Sequence, residues 1–159
     1  MVHICQDLTQ YFIDQLVARI PKNAPLTTAI YLAEVLVNAQ APDITPLGPA
    51  LIEAQTKSAI RAIAAKSLLM AGPFRHTLTR STVTRQYYLD LAAVGYVRAM
   101  VQDAYGQAYA AIAQDPAVYA DVITFSANRY DQALRQDNLH RPAVQPGSSL
   151  HSRSTSTGR

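Results

Sequence analysis

The chain has 159 residues, 49% of them hydrophobic and only 16% charged, with a formal net charge of +3. That is enough chain for one globular core, and too much apolar material for disorder throughout. Twelve Gln stand against two Glu, Glu34 and Glu53. Twenty-six Ala, six Gly and no Trp point to closely packed helices instead of a sheet protein with many turns. The expectation is an all-α, single-domain bundle of about five helices, mostly antiparallel, over residues 1–138, followed by a disordered tail.

Residues 4–20 form the first expected helix. Ile4, Leu8, Phe12, Leu16 and Ile20 recur every four positions, and Pro21 and Pro25 stop it. Asn23 is a candidate cap for a second helix over 24–39, with Leu26, Ile30, Ala33 and Val37 on one face. Thr45-Pro46 then offers a cap followed by proline at a first helical position, and Gly72-Pro73 a stop, for a helix over 46–71. Ile52, Ala59, Ile63 and Met70 are expected inward on it, with Glu53 and Lys57 as an i,i+4 pair outside.

A connector over 73–81 leads to Ser81 or Thr82 as the cap of a long helix, 82–114. Its main apolar stripe is Tyr87, Leu91, Val94, Val101, Tyr105, Ala108 and Ile112. A second stripe of small residues, Ala92, Gly95, Ala99, Gly106 and Ala110, would admit another helix at the short end of the usual 8 to 10 Å spacing. Two stripes imply burial on two sides. Asp115-Pro116 opens the last helix, 116–137, which is expected to bury Val118 or Tyr119, Val122, Phe125 or Ser126, Tyr130 and Ala133. After Asn138 the composition turns to Ser, Thr, Arg and Pro, which gives residues 139–159 little to bury.

The positive charge is concentrated: residues 57–98 hold seven Lys and Arg against Asp90 alone. Within that stretch Arg75, Arg80 and Arg85 are spaced by five, with His76 among them, just before a helix start. That placement suits an anion or a nucleic-acid phosphate, but the plainer expectation is pairing with acidic residues of the amino half or simple solvation, with an acidic protein partner as a further option.

Familiar catalytic chemistry has no signature here. His3, His76, His140 and His151 lack zinc spacing, Glu-x-x-His is absent, and there is no phosphate loop, dinucleotide fingerprint or nucleophile elbow. No metal and no cofactor is expected. Cys5 reads as a small apolar residue, and nothing at the amino end resembles a signal peptide, so the cytosol is the expected compartment. Leu89 to Ala113 carries too many charges to insert into a membrane.

Five of the nine tyrosines, Tyr87, Tyr88, Tyr96, Tyr105 and Tyr109, fall on the long helix and cannot share one face. The leading expectation is therefore a non-enzymatic module for protein–protein interaction, as a homodimer, adaptor, assembly factor or regulator, with Gly95, Tyr96, Ala99, Gly106, Tyr109 and Ala110 at the interface. The alternative is a nucleic-acid or anion-binding regulator using Arg75, His76, Arg80 and Arg85, and a small apolar or aromatic ligand in the bundle centre is a third option.

Overall fold

The computed structural model describes residues 2–40, 46–80 and 83–139. The expected tail beyond 139 and the candidate caps Thr45, Ser81 and Thr82 lie outside the described residues. The fold is all-α: among the described residues there are seven α-helices and one 3-10 helix, with no strand. The α-helices are α1 (Val2–Val17), α2 (Leu26–Val37), α3 (Leu47–Glu53), α4 (Lys57–Ala71), α5 (Arg85–Ala99), α6 (Gly106–Gln114) and α7 (Pro116–Leu139). The 3-10 helix is Arg75–Arg80, between α4 and α5.

Residues up to Ala127 make one compact unit. In it α1 packs on α2, α2 on α6, α5 on both α4 and α6, and α3 against α4 and α5. The second unit starts at Asn128. Its described part is the carboxyl-terminal half of α7, whose side chains from Asp131 to Asp137 are exposed.

Two of the five expected helices are each divided in two. The helix expected over 46–71 breaks at Ala54–Thr56, because the Thr56 hydroxyl caps a fresh start by accepting from the Ala59 N–H at 3.1 Å. Arg98 reaches across from α5 to donate to the carbonyls of Leu51 and Ala54, supplying partners that a continuing helix would have provided. The break separates Glu53 from Lys57, and Lys57 donates instead to the Val101 carbonyl. Ile52, expected inward, is 81% exposed.

The helix expected over 82–114 breaks at Met100–Tyr105. The Asp103 carboxylate accepts from the Tyr105 N–H at 2.9 Å, a local turn that competes with helical bonding, and Gln102 takes up a left-handed backbone with φ of 55°. The chain folds back so tightly here that a Cβ on Gly106 would stand 2.5 Å from the Met100 carbonyl oxygen.

Other starts and stops follow the local chemistry more closely. Alpha-4 ends at Gly72 and α7 begins at Pro116, as expected. The boundary of α2 is set by Pro25 instead of Asn23, and α3 begins one residue after Pro46. Thr84 caps α5 by accepting from the Tyr87 N–H at 3.2 Å.

The core is built from Phe12 and Leu16 of α1, Leu32 of α2, Leu68 of α4, Leu89 and Tyr96 of α5, Tyr109 and Ile112 of α6, and Tyr119 and Ile123 of α7. On α7 Ser126 is the buried member of its expected pair and Phe125 is exposed, with the Arg19 guanidinium 4.0 Å above its ring. Among the described residues no helix is long and apolar enough to cross a membrane.

Candidate functional site

The arginine-rich connector folds as the 3-10 helix and the start of α5. Arg75 and Arg85 converge on one carboxylate, Asp121 of α7, at 3.4 Å and 2.8 Å. Arg85 also donates through Nε to the Ala71 carbonyl at the end of α4. The acidic partner thus comes from α7 and not from the amino half. His76 lies exposed on the 3-10 helix and Arg80 closes it. Each arginine spends one Nη on Asp121, so an external phosphate here would meet a carboxylate already in place.

On α5 the small-residue stripe faces inward. Ala92, Gly95, Tyr96 and Ala99 are buried, and a Cβ on Gly95 would come within 2.8 Å of the Cβ of Ala64 on α4. The backbone approach that Gly95 permits is therefore spent on α4 of the same chain. Tyr109 is buried on α6, Ala110 beside it is half-buried, and Gly106 sits in the α5–α6 corner.

Of the other stripe Ala108 and Ile112 are buried on α6, whereas the valines of α5 stay outside. Val94 is 51% exposed, Val97 50% and Val101, just past the end of α5, 61%. Tyr87 and Met100 extend the strip, and Ile52 is exposed on the neighbouring α3. The strip's charged neighbours are Asp90, whose carboxylate accepts from Gln86 at 2.8 Å, and Arg98, whose head group is turned onto the carbonyls of α3.

Behind α5 four tyrosines meet. The hydroxyls of Tyr31 and Tyr96 are 2.8 Å apart, the Tyr31 ring stands edge-on to Tyr96 and Tyr109, and Tyr96 stacks on Tyr109 at 5.3 Å. Tyr105 donates to the Glu34 carboxylate at 2.5 Å, and Arg61 pairs with Asp103 at 3.5 Å. Burial pushes the Tyr31 and Tyr96 hydroxyls well above the ordinary tyrosine range. Tyr105 is pushed up to about 12, chiefly by its bond to Glu34. Tyr109 also rises through burial, checked by the neighbouring Arg61 guanidinium. The Tyr109 hydroxyl is buried beside Arg61 and Asp103.

Beside this cluster a cavity of about 410 Å³ lies between α2 and α4. Its floor includes Tyr31, Val35, Leu47 and Leu69, all buried. The α4 wall is low because Ser58, Ala62 and Ala65 fall on one face, and the far end carries Met70, Phe74 and Tyr88. Glu34, Arg61 and Lys66 supply its charge. The tyrosine cluster and the cavity join residues from α2 and α4 to α5 and α6, and no local pattern in the sequence announces them. Among the described residues no group of His, Cys, Asp or Glu is placed to hold a metal ion.

Comparison with protein-family models, with curated proteins and with solved structures gives no match.

Proposed function

We propose that the chain is a helical protein–protein interaction module that works by self-association, through the outer face of α5 and the adjoining α3. The observation that carries this reading is the strip Val94, Val97 and Val101, about half exposed or more, with Ile52 exposed on the adjoining α3. A contiguous apolar strip of this kind marks an interaction surface, whereas apolar residues scattered singly do not. Its charged neighbours on α5, Asp90 and Arg98, are opposite in sign, so a two-fold contact between copies can set one against the other. An antiparallel order of the helices in each protomer, joined by short links, is part of the same proposal.

Sedimentation velocity tests it. The wild-type protein is expected as a dimer whose sedimentation changes little with salt, and the Val94→Glu, Val97→Glu double variant as a folded monomer. Both positions are exposed, so the substitutions are expected to change stability by no more than about 0.5 kcal/mol each. A wild-type monomer at micromolar concentration, or a dimer untouched by the two glutamates, overturns the reading.

A further inference from the structure

We infer that the cavity between α2 and α4 is a binding site for a small amphipathic carboxylate, with its acid group at Lys66 and Arg61 and its apolar body along Leu69, Met70 and Phe74. The inference is independent of self-association, which uses the opposite side of α5.

Size comes first. A volume of about 410 Å³ falls in the range of roughly 300–1,000 Å³ typical of small-molecule sites, near its lower end. That leaves room for a single compact molecule.

Shape follows from α4. Ser58, Ala62, Ala65 and Leu69 succeed one another at helical spacing along one face, and the first three are too short to fill the space before α2. Ser58, Ala62 and Lys66 are exposed, so the site opens to solvent along that edge, while Val35, Leu47 and Leu69 close it below. A ligand therefore enters sideways with its apolar part downward and its polar group at the rim.

The charges select the acid. Lys66 and Arg61 flank the small-residue wall on its two sides, two cations against the one carboxylate in the lining, Glu34, whose oxygen accepts from the Tyr105 hydroxyl. Arg61 is held by the Tyr109 hydroxyl and by Asp103 at 3.5 Å, and with five donors its guanidinium can still offer one to a carboxylate. Tyr31, on the floor, is fixed by its hydroxyl contact with Tyr96 and by the edge of Tyr109. The wall is formed before any ligand arrives, which lowers the ordering cost of binding.

Decanoate, below its micelle-forming concentration, is the probe, followed by calorimetry and by amide shifts in the full chain. Decanol and decyltrimethylammonium carry the same tail with no charge or the opposite one. Decanoate is expected to bind once per chain with shifts centred on Ala62, Ala65 and Leu69, and at least about tenfold more tightly than either analogue. Ala62→Trp, at an exposed position, is expected to abolish the shifts, and Lys66→Glu to weaken binding about tenfold or more. Absent binding, shifts that survive Ala62→Trp, or equal binding of the cationic analogue each overturn the assignment. Should Ala62→Trp fail to fold, Lys66→Glu decides the matter, because an exposed charge reversal leaves the core untouched.

Discussion

Tyr31 and Tyr96 each bring a hydroxyl into the interior and satisfy it on the other. Removing one partner leaves the second buried and unpaired, at a cost of about 1–3 kcal/mol, whereas removing both takes away two polar groups together. Tyr31→Phe and Tyr96→Phe are thus expected each to lower stability by about 1–3 kcal/mol, and the double variant by clearly less than the sum. Urea unfolding of the four proteins measures the coupling, and strict additivity would refute the pairing. The sequence shows that Tyr105 and Tyr109 adjoin on one helix turn. It holds no sign that Tyr31 joins them, because a contact across 65 residues, as between Tyr31 and Tyr96, leaves no trace in local spacing.

Helix boundaries marked by proline and glycine are readable because the backbone itself enforces them: Pro116 starts α7 and Gly72 ends α4. The two breaks inside long apolar patterns are set by side chains, Thr56 and Asp103, whose competing hydrogen bonds prevail only once Arg98 and the α5–α6 corner are in place. Both stripes of α5 are visible in the sequence as well, but which of them faces inward depends on the helix that meets it. Ala64 on α4 is small enough to admit the glycine stripe, so the valines turn outward. Gly95→Ala tests this directly. It gains up to about 1 kcal/mol of helix propensity and loses about 1–3 kcal/mol to crowding against Ala64. A net fall in thermal midpoint is expected, partly recovered when Ala64→Gly is added, and a rise for Gly95→Ala alone would contradict the close packing of α4 on α5.

For the molecule as a whole, the tyrosine cluster sets an alkaline limit. Tyr31, Tyr96, Tyr105 and Tyr109 all hold their protons more tightly when folded than the ordinary value of 10.0, with Tyr105 raised to about 12. The stability tied to those protons is fully present below pH 10 and is lost as the pH climbs through the folded values. Thermal midpoints are therefore expected to hold level up to pH 10 and then to fall steeply. The phenolate absorbance of these four side chains should appear together with loss of helical circular dichroism. Smooth ionisation of all nine tyrosines near pH 10 with the helices intact would show that the cluster is open to solvent.

Alpha-3 has only seven residues, too few to hold a helix by its own hydrogen bonds in water. Its last carbonyls rely on Arg98 from another helix, and Leu47 and Leu51 are its buried anchors. Such a segment has a low free energy of local opening, well below that of the core around Tyr96 and Leu68. Its amides are then the ones that exchange with solvent through brief excursions of α3 alone, while the rest of the chain stays closed. Each excursion would also lift away Leu47, one of the buried residues on the cavity floor.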